Sequence, residues 1–147
     1  MGKRALIIEA RFYDEYADNL LAGAKAEFEA KGFIVAVWTV PGVLEIPIAL
    51  AMAASDAQQG GTRYDAFCVL GTVIRGETGH YDIVAGEGNR GVIDVAVAHC
   101  LPLGNGILTV EDGEQAAVRA DPAGKNKGGG AAAAAIALYD LSAALSR

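Results

Sequence analysis

An unbroken apolar run, Ala66-Phe67-Cys68-Val69-Leu70, passes directly into Gly71-Thr72-Val73-Ile74-Arg75-Gly76-Glu77-Thr78-Gly79-His80, and helix-compatible sequence resumes at Tyr81. A short run without polar alternation is the pattern of a strand buried on both faces. Such a strand needs helices above and below it, which restricts the chain to layered α/β arrangements. Ala5-Leu6-Ile7-Ile8 has the same character, Ile34 to Val40 is rich in β-branched residues, and Ile107 to Val110 supplies a fourth strand.

Helical patterns fall between these runs. Asp14 is placed to cap a helix in which Ala17, Leu20, Leu21, Ala24 and Phe28 recur at helical spacing, and Lys31-Gly32 ends it. Further helices are predicted from about Leu44 to Gln59, Tyr81 to His99, Glu111 to Ala120 and Ala131 to Leu145. Leu101 to Gly106 reads as a turn region and Asp121 to Gly130 as a loop. This alternation predicts a three-layer, flavodoxin-like α/β fold. Its four-stranded parallel sheet has the order 2-1-3-4, with helices on both faces. No linker or repeat interrupts residues 1–147, which are expected to form one domain.

The net charge of −6 argues against general binding to nucleic acid or anionic membranes. No unbroken apolar run reaches the ~18 residues of a membrane span. Met1 to Arg4 is basic, but only Ala5 to Ile8 precede Glu9, too few for the apolar part of a signal peptide. Leu6 stands where a myristoylation signal needs Ser or Thr. Cys68 and Cys100 read as buried thiols in a reducing compartment, so the expected location is the cytoplasm. Hydrophobic residues make up 52% of the chain and charged residues 20%. Oligomerisation would cover the surplus apolar surface; plain alanine richness explains the figure equally well.

Ligands in such sheets sit at the carboxyl ends of the strands. Gly71 to Thr78 has Walker-type glycine spacing, but Glu77 occupies the lysine position, so only a single-phosphate site made of backbone N–H groups is expected. His80 follows that loop and is either a capping residue or a proton carrier. His99, at a helix end, needs no more than a C-terminal capping role. Gly86-Glu87-Gly88-Asn89-Arg90-Gly91 matches Gly-x-Gly-x-x-Gly but does not directly follow a buried strand, which favours close helix packing over dinucleotide binding. Glu45, in Val40-Pro41-Gly42-Val43-Leu44-Glu45-Ile46-Pro47, is either a helix-start charge or an acceptor for substrate hydroxyls. Phe12 is either core or a ring that stacks on a flat heterocycle. Arg119 and Lys127 flank a loop, where solvated charges are common. No metal-ligand spacing is evident. Together, an aromatic, a carboxylate, an anion loop, a histidine and an arginine collect at one edge of the sheet.

With these motifs in this order the chain resembles the lumazine synthase family (6,7-dimethyl-8-ribityllumazine synthase). The resemblance runs nearly end to end, through Arg11-Phe12, Val40-Pro41-Gly42, Glu45-Ile46-Pro47, Gly71 through Tyr81, Gln115-Ala116, Arg119-Ala120 and Asn126-Lys127-Gly128. It implies a transferase of riboflavin biosynthesis that joins 5-amino-6-(D-ribitylamino)uracil to 3,4-dihydroxy-2-butanone 4-phosphate without a cofactor. Its sites would lie between neighbouring subunits of a homopentamer. Carried over by position, Phe12 stacks on the pyrimidine, while Val43, Leu44 and Glu45 line the ribityl side. Thr72, Val73 and Ile74 read the pyrimidine edge, and Lys127 is a further polar contact. Glu77 and Thr78 hold the phosphate opposite a neighbour's Arg119, and His80 moves protons. Asn105 stands where the family usually has an aromatic residue, and Leu44 where it often has Phe. A non-catalytic flavin or pteridine carrier is the alternative that Asn105 suggests. Some members stack pentamers into icosahedral shells, aided by an N-terminal arm. Met1 to Arg4 is too short for that arm, so a pentamer is expected rather than a shell.

Overall fold

The structure, a computed structural model, describes residues 2–145; Met1, in the basic start noted above, lies outside the described residues. Strand β1 (Lys3–Ala10) is followed by α1 (Asp14–Ala30), β2 (Phe33–Val40), a single 3-10 turn (Val43–Glu45) and α2 (Ile46–Gln58). Then come β3 (Ala66–Ile74), α3 (His80–His99), β4 (Leu103–Val110), α4 (Gly113–Ala120) and α5 (Lys127–Leu145). The four strands are all parallel, in the order β2-β1-β3-β4. The expected flavodoxin-like three-layer arrangement is the one observed.

Strand alternation assigns the layers. Ala5 and Ile7 of β1 face α1 and α5, packing with Leu20, Phe28, Ala132 and Ala135. Leu6 and Ile8 face the other way, against Ile46, Leu50 and Val92 of α2 and α3. In β3, Ala66 through Val73 are all buried. That double burial is what its unbroken apolar sequence encodes. Gly32, at φ 84°, turns the chain out of α1.

Several boundaries differ from the sequence reading. β4 starts at Leu103, within the segment expected to be a turn. Pairing with β3 from Phe67↔Leu103 to Ile74↔Val110 overrides the weak strand preference of Gly104 and Gly106. α5 starts at Lys127, so the loop expected to reach Gly130 is shorter and three glycines enter the first helical turn. Asn126 has left-handed backbone at φ 47°, and its Oδ1 accepts from the Gly129 N–H at 3.1 Å. Tyr13, not Asp14, is the N-cap residue of α1, and no side chain caps that end. Cys68 is buried, and desolvation pushes its thiol well up, but Cys100 is exposed. Cys100 rather than His99 forms the left-handed C-cap of α3, and the His99 Nδ1 accepts from Gln58 Nε2 at 3.3 Å. α5 is long and apolar enough to cross a membrane, unlike the expectation from apolar runs alone. Here Ala131, Ala132, Ala135 and Ile136 pack it into the core.

Two glycines make that packing possible. A Cβ on Gly104 would collide with the Ala131 carbonyl of α5, and one on Gly128 would collide with the Leu20 carbonyl of α1. Both obstacles are backbone, which cannot rotate away. Gly104→Ala is therefore expected to destabilise the protein by about 2 kcal/mol or more. Urea unfolding at a fixed protein concentration measures this, and a change within experimental scatter would contradict the packing account.

Candidate functional site

β1 and β3 are neighbours, but their outgoing connections run to opposite sides of the sheet: β1 leads to β2, β3 to β4. A crevice opens where the connections part. It encloses about 350 Å³ above the carboxyl ends of the central strands. Nine of the residues singled out by sequence line it: Phe12, Val43, Leu44, Glu45, Thr72, Val73, Ile74, Thr78 and His80.

Each wall has a local cause. The bend after β1 presents Phe12, whose ring is 74% exposed and meets Tyr13 edge-on at 4.9 Å. The 3-10 turn carries Val43 inward and leaves Leu44 and Glu45 facing the cleft. Gly71 lies inside β3 rather than in the loop after it. A Cβ there would come within 2.9 Å of Val43, so Gly71 serves the approach of the 3-10 turn to the sheet. Thr72 and Val73 form the nearly buried floor.

The glycine-rich segment reduces to a short loop, Arg75 to Gly79, that ends at the start of α3. Gly76 and Gly79 have open space around them. His80 is the first residue of α3, and its N–H donates to Thr78 Oγ1 at 3.3 Å. A helix start with its unsatisfied N–H groups favours an anion at this point. Arg75 anchors the loop. Its Nε lies 2.9 Å from Glu111 Oε2, a terminal nitrogen 3.6 Å from Asp82 Oδ1, and its plane 4.2 Å from the centre of the Tyr81 ring. The bond to Glu111 chiefly holds the Arg75 guanidinium above the ordinary arginine value. Glu77 is exposed on this loop and does not line the cleft.

The remaining three residues lie elsewhere. Asn105, Arg119 and Lys127 line a separate hollow beside the edge strand β4, with α4 and α5. No residue of the cleft also lines this hollow. Arg119 is half-buried and donates to the Gln115 carbonyl at 3.2 Å. The cleft also uses Tyr13, Tyr81 and Val84, which the sequence reading missed. Tyr81 and Val84 are spaced to share one face of α3, a signal visible only once His80 is known to start the helix.

Asn105 is held in one orientation. The Ile107 N–H can only donate, so it fixes Asn105 Oδ1 at 2.8 Å; the Ala85 carbonyl can only accept, so it fixes Asn89 Nδ2 at 2.8 Å. The two free ends are then complementary, and Asn105 Nδ2 donates to Asn89 Oδ1 at 2.7 Å. Gly88 and Gly91 of the expected helix-packing glycines approach Val43 and Pro47, inside α3, so the dinucleotide reading has no loop to stand on. Among the described residues there is no cluster of three His, Cys, Asp or Glu side chains placed to hold a metal.

Residues 2–143 match the family model described as 6,7-dimethyl-8-ribityllumazine synthase. A protein of that name from Methylorubrum extorquens is 58% identical over 140 residues, which is 95% of this chain and 81% of the relative. One from Agrobacterium fabrum is 56% identical over 92% of each chain. A 6,7-dimethyl-8-ribityllumazine synthase 1 of Rhizobium meliloti is 55% identical, over 92% of this chain and 89% of the relative.

The amide pair predicts a measurable coupling. Asn89→Ala and Asn105→Ala should each cost about 1 kcal/mol, and the double variant little more than one of them. Urea unfolding of the four proteins tests this; strictly additive losses would show that the amides do not act together.

Proposed function

The chain belongs to the 6,7-dimethyl-8-ribityllumazine synthase family, and from that premise we propose how its residues carry the family's reaction. It is a transferase of riboflavin biosynthesis with two small-molecule substrates. It condenses 5-amino-6-(D-ribitylamino)uracil with 3,4-dihydroxy-2-butanone 4-phosphate, and yields 6,7-dimethyl-8-ribityllumazine, phosphate and water. These relatives support catalysis, not the carrier reading that Asn105 suggests.

The observation that carries the residue assignment is the crevice between β1 and β3, which gathers an exposed ring, a carboxylate, a helix-start loop and a histidine. In our reading the pyrimidine stacks on Phe12, with its edge on the backbone of Thr72 to Ile74. Glu45 accepts from ribityl hydroxyls beside Val43 and Leu44. The phosphate sits at the start of α3, held by Thr78 and by N–H groups around Glu77. The pyrimidine amine attacks the ketone, and loss of water gives an imine. Removal of a proton then expels the phosphate, the second amine closes the ring on the new carbonyl, and a further water leaves. His80, next to the phosphate loop, carries protons between these steps. Holding two substrates in one crevice supplies most of the acceleration.

We further propose that the working unit is a homopentamer in the cytoplasm, with 1–147 acting as one domain and each site completed by a neighbour. Asn105, Arg119 and Lys127 stand in their own hollow, which supports a site that a second chain completes. Apolar side chains also face outward on α2 and α3, among them Ile48 (58% exposed), Met52 (63%) and Val97 (71%). A patch of this kind favours a permanent interface.

Mixing the purified protein with both substrates and following lumazine fluorescence tests the activity; no rate above the spontaneous one would defeat it. His80→Ala should lower kcat about tenfold or more. Arg119→Ala should raise KM for the phosphate substrate about tenfold or more, with less effect on the pyrimidine. Refolding those two impaired variants together should restore wild-type sites at roughly a quarter of the total if each site spans two chains. Light scattering completes the test: a mass near five chains supports the pentamer, and a megadalton particle overturns it.

A further inference from the structure

Phe12 poses a positional problem. Within this chain Phe12 is 74% exposed and, among the described rings, meets only the edge of Tyr13, so its aim depends on how its backbone is held. That backbone is the bend between β1 and α1, and Arg11 is the residue that ties it down. The Arg11 N–H donates to the Val40 carbonyl of β2 at 3.3 Å. Its side chain spans three carboxylates: Nε to Glu9 Oε2 at 2.8 Å, one terminal nitrogen to Asp18 Oδ1 at 2.8 Å, the other to Asp14 Oδ1 at 3.5 Å. Glu9 is itself 2% exposed, and its Oε2 also accepts from Thr39 Oγ1 at 2.6 Å. One residue thus ties β1 and the first turns of α1 through its side chain, and β2 through its backbone, to a single point.

Stability does not explain this arrangement. A buried ion pair gains little over apolar packing of the same volume, because desolvation offsets the attraction. Here the balance is poorer still, since Glu9 Oε1 is buried and finds no hydrogen-bond partner among the described residues. An arginine keeps its proton in any case, and the bond to Glu9 chiefly raises the Arg11 guanidinium further above the ordinary arginine value, so its role is structural charge and not proton transfer. Ala10, Phe12 and Tyr13 all line the crevice while Arg11 does not, so the clamp lies behind the bend and not in the path of substrate.

We propose that Arg11, anchored on buried Glu9 and braced by Asp14 and Asp18, is a positioning residue for the pyrimidine substrate, fixing the bend that holds Phe12 over the crevice. The inference rests on the stacking role given to Phe12 above.

Steady-state kinetics of the assembled enzyme test it, with Arg11→Ala, Phe12→Ala and the double variant. Each single change should raise KM for the pyrimidine about tenfold, the scale of one lost ring contact. KM for the phosphate substrate should stay within about twofold, and the double variant should be little worse than the poorer single one. Arg11→Lys, which keeps the charge but loses the fork, should recover only part of the loss. If Arg11→Ala does not fold, the same cycle is run with Asp18→Asn, which removes one exposed brace and should raise only the pyrimidine KM, about two- to threefold. Additive losses, an unchanged pyrimidine KM, or equal rises for both substrates would overturn the positioning role while leaving Phe12 in place. A Phe12→Ala enzyme with unaltered pyrimidine KM would instead remove the stacking role, and the inference would fall with it.

Discussion

The parallel pairing of β1 with β3 is the contact on which the rest depends. Ala5 to Glu9 lie beside Ala66 to Leu70, and the chain leaves the two strands toward opposite edges. Helices must then cover the sheet on both sides, because both strands are apolar on both faces. The same divergence leaves an uncovered space at the carboxyl ends. Nothing in that space needs to be carved out; it is the place where two connections fail to meet.

What stands around the space is set by how closely the elements approach. Gly71 lets the 3-10 turn settle on β3, which carries Leu44 and Glu45 to the rim. Gly104 and Gly128 let α5 lie against β4 and α1, which fixes the hollow holding Asn105, Arg119 and Lys127. Polar clamps finish the work where the chain leaves the strands. Arg75 fastens the loop before His80 to α3 and to the turn after β4, while Arg11 fastens the bend carrying Phe12 to β2 and α1. Small residues set how closely the elements of the site approach, and arginines tie down its connecting segments.

The split between crevice and hollow gives the apolar exterior a meaning. A chain whose two sets of polar residues face different directions cannot bring them together by folding alone. Ile48, Met52 and Val97 stay exposed on the helices of the crevice side, and Leu138 and Leu141 on α5. In the assembly proposed above, surfaces of that kind on different sides of one subunit would form its head-to-tail contacts.

The sequence by itself determined the strand order and the layers, because burial on both faces is a local pattern that survives in one dimension; of the crevice lining, the placement of motifs after strand ends marked Phe12, Glu45 and His80, and the family resemblance marked six more. It misjudged the start of β4 at Leu103 and of α5 at Lys127, because glycines there weaken local preference while long-range pairing with β3 and close contact with α1 restore order. It also could not reveal that Asn105 is locked to Asn89, or that Arg11 and Arg75 are committed to carboxylates 2 to 36 positions away along the chain. Those partners are chosen by proximity in space, and only the tertiary structure decides which charges and amides meet.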